Sequence, residues 1–218
     1  MALHQLKYPY RKFILPLAKK ISFINPDVFS WMAFVVTFVT GYCFYAGNEN
    51  PVLFLWIILL IFLRMTLNTL DGVVAIQRGD DSKIHGKIIN ALPDRYGDIF
   101  IVGGILLSPI CNDVIGLLGL ATMFLVSYAG MLGKALGVSW QGHGPLDKVE
   151  RLVWLIIFAF LQYYGYMHNA PVLKVCGYHF SYLEICMLLF FVLGQITVLR
   201  RVGGIYKEAK SVEENSNK

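Results

Sequence analysis

Amide and carboxylate side chains recur at helical spacing in two neighbouring segments of the chain. Asn68 and Asp71 are three residues apart, and Asn90 and Asp94 are four apart, so each pair shares one face of a helix. Carboxylate and amide oxygens are the ligands that a hard divalent cation such as Mg²⁺ or Mn²⁺ prefers. The two pairs therefore predict a site for such a cation.

Small residues beside both pairs favour the approach of a bulky ligand. Gly72 and Gly86 place no side chain next to the polar groups, and Ala75 keeps the wall open one turn beyond Asp71. Polar groups within apolar helices are costly and usually serve a function. The cluster therefore indicates a phosphate-bearing ligand held by a metal ion.

The elements that carry these residues are strongly apolar. Of 218 residues, 56% are hydrophobic and only 15% are charged, whereas a soluble domain carries about 25% charged residues. Six apolar stretches approach the ~20 residues needed to cross a bilayer. They predict an all-α integral membrane protein with six transmembrane helices, near residues 28–46, 51–74, 89–107, 113–136, 152–167 and 182–199.

Basic residues predict how the chain is oriented in the membrane. Lys and Arg gather in the N-terminal segment, the second and fourth connections and the C-terminal tail, while the other three connections contain only Lys174. Positive residues stay in the cytoplasm, so both termini and the polar cluster are expected on that side. A basic face beside anionic membrane lipids accounts for the net charge of +5 without any nucleic acid partner.

One transmembrane domain is predicted, over residues 28–202, with a cytoplasmic tail over residues 203–218 that frays from Ser211. Residues 1–27 form a cytoplasmic segment whose stretch 11–20 mixes apolar and basic side chains. It is expected to be an amphipathic helix in the membrane interface, ended by the break at Asn25, Pro26 and Asp27. The alternative is a plain basic flank that only sets orientation.

The ordered polar cluster resembles the motif of the CDP-alcohol phosphotransferases, D-x-x-D-G-x-x-A-R followed by G-x-x-x-D-x-x-x-D. The similarity extends to the amphipathic N-terminal helix, the six spans, Ser127-Tyr128 and residues 144–151. The resemblance implies metal-dependent transfer of a substituted phosphate from a CDP-linked donor to an alcohol acceptor, with release of CMP. One of the two substrates would be a lipid, and the setting would be phospholipid synthesis by a homodimer in the inner membrane.

The same resemblance implies roles for individual residues. Asp94 would be a metal ligand and the general base that deprotonates the acceptor hydroxyl, and Asp71 would be the central metal ligand. The implied metal ligands are Asn68, Asp71, Asn90 and Asp94, and the implied nucleotide-binding residues are Asn68, Asp71, Gly72, Ala75 and Gly86.

The chain departs from the family motif at three positions. Asn68 and Asn90 stand at acidic positions, Ile76 stands at the arginine position, and the gap before Gly86 is one residue longer. Two missing negative charges weaken the attraction for a second dication, so we expect one tightly held metal, altered chemistry or loss of activity. Arg78 could replace the missing arginine only if the end of its helix unwinds.

Other basic residues near the motif have two interpretations each. Arg64 lies within the second span and either pairs with Asp98 or lines a wet cavity. Three more bind a phosphate or an anionic head group, or are ordinary flanks of the spans. They are Lys134, Lys148 and Arg151.

Two further function classes compete with the transferase. A divergent relative could bind a nucleotide or lipid without turnover, given Asn68, Asn90 and Ile76. A small transporter would need a polar path through the bilayer, yet the outer halves of the spans are nearly all apolar. The cysteines show no metal-binding spacing, and burial as apolar thiols is favoured over a disulfide between Cys111 and Cys176.

Overall fold

The fold consists of long helices and one short hairpin. The structure is a computed structural model that describes residues 10, 12, 14–79, 84–138, 144–175 and 177–216, without the side chains of residues 84–91, 175 and 212–216. Residues 14–20 form a short helix, α1. It is followed by α2 (Pro26–Ala46), α3 (Leu53–Arg78), α4 (Ile84–Leu106), α5 (Asp113–Ala135), α6 (Lys148–Met167), the hairpin strands β1 (Val172–Val175) and β2 (Tyr178–Ser181), and α7 (Tyr182–Ser216).

Four of the long helices are apolar and long enough to cross a membrane, so the chain is a multi-pass membrane protein. They are α2, α3, α5 and the first 30 residues of α7. Of the six expected crossings, those of α4 and α6 are not among the spans that meet this criterion within the described residues. Charged residues lower the hydropathy of both helices. α4 contains Asp94, Arg95 and Asp98, and the first turn of α6 contains Lys148, Glu150 and Arg151.

The long helices pack pairwise into a closed ring in the order α2, α3, α6, α7, α5 and α4, with α4 returning to α2. Glycines allow the closest contact, because a Cβ at Gly104 would lie 2.0 Å from the carbonyl oxygen of Gly41. We expected α3 and α4 to be antiparallel neighbours. Within the described residues, α2 packs extensively against both of them, and the polar residues lie where the three helices meet.

The N-terminal helix α1 packs against α2 and α3. Ile14 and Ala18 are buried in a cluster with Leu67 and Leu70 of α3, while Leu15 on the other side of the helix is exposed. The expected break follows, since the Asn25 side chain accepts from the amide of Asp27 at 3.0 Å and Pro26 occupies the first turn of α2.

The C-terminal helix runs further than the last predicted span. α7 continues without a break from Tyr182 to Ser216, so the expected tail from residue 203, including Ser211, continues this helix. Thr197 and Arg201 of α7 hold the segment before α6. Thr197 accepts from the amide of Leu146 at 3.0 Å, and the Arg201 guanidinium lies 3.2 Å from Asp147. These contacts fix where α6 begins.

The far end of the bundle contains two features of lesser functional weight. The antiparallel pairing of β1 with β2, in register from Val172 with Ser181 to Val175 with Tyr178, was not anticipated. Cys111 is a buried free thiol, whereas Cys176 lies outside the described residues. Burial and the nearby Glu184 and Asp113 carboxylates raise the pKa of the Cys111 thiol to about 12.

Candidate active site

A small cleft opens where α2, α3 and α4 meet. Its walls combine a carboxylate, an amide, a guanidinium and two hydroxyls with a few apolar groups. The residues that line it are Ser30, Ala33, Phe34 and Thr37 of α2, Arg64 and Asn68 of α3, and Pro93 and Asp94 of α4. Asn68 from the first half of the motif and Asp94 from the second half therefore line one cleft.

Asp71, the acid in the first half of the motif, is held by α2. Its side chain is only 6% exposed, and its Oδ2 accepts a 2.6 Å hydrogen bond from the Ser30 hydroxyl. Because Ser30 also lines the cleft, Asp71 lies directly behind the wall of the cleft. A charge-assisted bond of this length fixes the carboxylate in one orientation.

Asp94, the last acid of the motif, lies between two cations. Its Oδ2 is 2.5 Å from the Lys148 ammonium of α6, and its Oδ1 is 3.9 Å from Arg64 Nη2 of α3. Side chains from three helices therefore converge here. The Lys148 contact connects the start of α6 to the cleft and positions the Asp94 carboxylate.

One turn further along α4, Asp98 forms a second set of ion pairs. Its Oδ2 is 3.1 Å from Arg151 Nη1 and 3.4 Å from Arg95 Nη1, and Arg95 also donates to the Ser127 hydroxyl. One of the two interpretations of Arg64 was a pair with Asp98; within the described residues, its ion pair is with Asp94 instead.

Arg64 lines the cleft, which agrees with its second interpretation. Gly97 makes room for it, because a Cβ at this position would lie 2.6 Å from Arg64 Nη2. The guanidinium is therefore placed by the shape of α4 as well as by the charge of Asp94.

The donor set fits a hard divalent cation. Within the described residues, no three His, Cys, Asp or Glu side chains converge, so the carboxylates available are Asp71 and Asp94, with the Asn68 amide beside them. Two carboxylates and neutral oxygens are suitable ligands for one Mg²⁺ or Mn²⁺. Asn90 lies in α4, but its side chain is outside the part that the structure describes.

The small residues of the predicted nucleotide slot have different surroundings. A Cβ at Gly72 would meet no other atom within 4 Å, so this face of α3 is open. Ala75, three residues on, is half-buried, and Gly86 falls in the first turn of α4. The described part of the slot therefore leaves space beside Asp71.

Arg78 does not take the place of the missing motif arginine. α3 stays helical through Arg78 and ends at Gly79, so the required unwinding does not occur. The Arg78 guanidinium instead donates to the carbonyls of Ser22, Phe23 and Ile24 at 3.2 to 3.4 Å. These contacts hold the link between α1 and α2. Ile76, which stands at the arginine position of the motif, is exposed.

The three predicted phosphate-binding residues are distributed unevenly. Lys148 and Arg151 reach Asp94 and Asp98, so both lie at the cleft. Lys134 is exposed near the end of α5, and none of the ion pairs described above involves it.

Sequence reasoning missed the contribution of α2. Ser30 and Thr37 both line the cleft, and they lie seven residues apart on one face of an otherwise apolar helix. Two hydroxyls on one face of a membrane helix are a signal that could have identified this wall.

No family model matches the chain, but curated relatives do. Inner membrane protein YnbA of Escherichia coli is 26% identical over 153 residues, which cover 69% of this chain and 75% of YnbA. Phosphatidylinositol phosphate synthase of Streptomyces avermitilis is 24% identical, covering 87% of this chain and 75% of that protein. Archaetidylinositol phosphate synthase of Methanothermobacter thermautotrophicus is 25% identical, covering 95% and 96%.

Solved structures share the fold. Phosphatidylinositol phosphate synthase (PgsA1) of Mycobacterium tuberculosis with CDP-DAG bound matches with a TM-score of 0.65 and 20% identity, covering 93% of this chain and 94% of that one. The same enzyme with manganese and citrate gives a TM-score of 0.67, covering 92% and 88%. In motif, sequence and fold, this chain is therefore similar to the CDP-alcohol phosphotransferases.

Proposed function

We propose that this protein transfers a substituted phosphate from a CDP-linked donor to an alcohol acceptor and releases CMP, as a step of phospholipid synthesis. The observation that carries the proposal is the convergence of both halves of the motif at one cleft. Asp94 and Asn68 line this cleft, and Ser30 connects it to Asp71. An apolar protein with a polar cleft of this kind suits a reaction between a lipid and a water-soluble group.

A Mg²⁺ or Mn²⁺ ion held by Asp71 and Asp94, with the amide oxygens of Asn68 and Asn90, would supply positive charge to the diphosphate of the donor. Ser30 keeps the Asp71 carboxylate oriented for this role through its 2.6 Å hydrogen bond. Metal ligands are commonly oriented by such second hydrogen bonds.

The transfer is a single displacement at phosphorus. The acceptor hydroxyl oxygen attacks the phosphorus that carries the substituent, and a new P–O bond forms. The bond from that phosphorus to the bridging oxygen breaks, and its electron pair leaves with CMP. The hydroxyl proton passes to the Asp94 carboxylate, which Lys148 and Arg64 position.

The substrates are assigned to the two sides of this centre. The nucleotide lies along Gly72, Ala75 and Gly86, where Gly72 borders open space. Lys148 and Arg151, together with Lys134, are assigned to hold a phosphate or an anionic head group. The relative from M. tuberculosis was crystallised with CDP-DAG, which supports a CDP-linked lipid as the donor.

In the membrane, the protein is proposed to lie in the inner membrane with six crossings and both termini in the cytoplasm. Six long helices and the distribution of Lys and Arg support this topology, and an E. coli relative is an inner-membrane protein. The helix α1 would lie in the interface with exposed Leu15 and Leu17 towards lipid. The assembly is proposed to be a homodimer.

Release of CMP by the purified protein tests the proposal. The protein is incubated with CDP-DAG and a panel of alcohols, with and without their own phosphate, in Mn²⁺ or in EDTA. We expect CMP to appear only with metal and with one class of acceptor. Binding of CDP without any CMP release would instead indicate the non-catalytic relative. If the protein neither binds CDP nor releases CMP, both functions are refuted.

A further inference from the structure

The Arg64 guanidinium is an unusual group to find at the wall of the cleft. It is only 2% exposed, and Nη2 has no hydrogen-bond partner within the described part of the chain. Its nearest acidic atom, Asp94 Oδ1, is 3.9 Å away, which is beyond hydrogen-bonding distance. A buried donor that stays unpaired is costly, so its retention within an apolar helix points to a ligand.

The position of this guanidinium is built into the fold. A Cβ at residue 97 would lie 2.6 Å from Arg64 Nη2 and 3.1 Å from the methyl group of Thr37. Gly97 is therefore needed for the guanidinium to occupy this place. Thr37, Asn68 and Asp94 surround the same cleft, so Nη2 is placed at the cleft wall.

The charge balance of the cleft favours an anion at this donor. Asn68 and Asn90 are neutral where the family motif has acids, and Lys148 already contacts Asp94. Arg64 therefore adds positive charge to a cleft that has lost two negative charges. A planar guanidinium with an unpaired N–H is well suited to a phosphoryl oxygen.

We infer that Arg64 is a phosphate-binding residue of this cleft, whose Nη2 donates a hydrogen bond to a phosphoryl oxygen of the ligand. The inference rests on the proposed function and extends it to a residue outside the motif. The oxygen could belong to the diphosphate of the donor or to a phosphate on the acceptor. In both cases Arg64 supplies part of the positive charge that the acidic motif positions would otherwise recruit through metal.

Binding measurements on Arg64→Met test the inference. Calorimetry in detergent with Mn²⁺ compares the affinities for CDP, CMP and inorganic phosphate, the last in the presence of CDP so that the diphosphate position is already filled. Loss of a charge-assisted hydrogen bond should weaken the affected ligand roughly 10- to 100-fold. A loss for CDP but not CMP identifies the donor diphosphate, whereas a loss for phosphate identifies the acceptor.

Arg200→Met is the matched control, because Arg200 is exposed on α7 and its loss changes net charge without touching the cleft. It should bind all three ligands as the unmodified protein does. If Arg64→Met does not fold, Arg64→Lys keeps the charge but loses the planar fork, and a loss of at least about fivefold is expected. Affinities within twofold of the unmodified protein for every ligand would overturn the inference, whereas an unmodified protein that binds neither CDP nor CMP would refute the proposed function itself.

Discussion

Replacing Ser30 by alanine tests how the buried Asp71 carboxylate is held. The Ser30 hydroxyl donates to Asp71 Oδ2 at 2.6 Å with both side chains buried. A hydrogen bond to a charged group contributes about 1.5–3 kcal/mol, and loss of a residue that orients a metal ligand typically lowers metal affinity about 10- to 100-fold. The two values agree, since each tenfold change corresponds to about 1.4 kcal/mol.

The assay is isothermal titration calorimetry, in which Mn²⁺ is titrated into the purified variant. Ser108→Ala is a matched control, because Ser108 is buried as Ser30 is, at 2% and 4% exposure, and its hydroxyl has no partner within the described residues. Ser30→Ala should weaken Mn²⁺ binding about 10- to 100-fold, and Ser108→Ala should leave it unchanged. An Mn²⁺ affinity of Ser30→Ala within twofold of the unmodified protein would refute the role assigned to this contact.

Three further predictions concern the motif and the cysteines. Asp71→Ala should abolish both Mn²⁺ and CDP binding by calorimetry, and unchanged CDP affinity would move the nucleotide elsewhere. Asn68→Asp combined with Asn90→Asp adds two negative charges and should create a second ion site in anomalous scattering from crystals with Mn²⁺ and CDP; two full sites in the unmodified protein would contradict the one-metal expectation. Cys111 should resist maleimide and stay unpaired at about pH 8, because a pKa raised to about 12 leaves roughly one thiolate in ten thousand; a Cys111–Cys176 disulfide in non-reducing peptide maps would contradict this.

Hydropathy predicted the positions of the six long helices, because each contains an apolar run, and several of them have local signals at their ends. Asn25 and Asn112 cap α2 and α5, and Gly79 in a left-handed conformation ends α3. Such signals depend only on neighbouring residues. The hairpin around Gly177 was missed because its strands are four residues each and fall within a connection between predicted spans.

The site was predicted only in part, for a geometric reason. Periodicity places Asn68 and Asp71 on one face of α3, but it does not fix how far α3 and α4 slide past each other. In the structure Arg64 pairs with Asp94, whereas the sequence suggested Asp98 as its partner. Periodicity also cannot identify the third helix, so Ser30 of α2 came only from the tertiary structure.

The central claim is that Asp94 takes the proton of the acceptor hydroxyl in a metal-dependent transfer. The most direct measurement compares initial rates of CMP release from CDP-DAG, with Mn²⁺ and the acceptor found active, for Asp94→Asn and Asp113→Asn. Asp113 is an exposed carboxylate at the start of α5, so its replacement controls for loss of charge. Asp94→Asn should be slower by about 10²- to 10⁴-fold with CDP binding largely kept, and Asp113→Asn should be unchanged. Retention of more than about a tenth of the rate by Asp94→Asn would contradict the account.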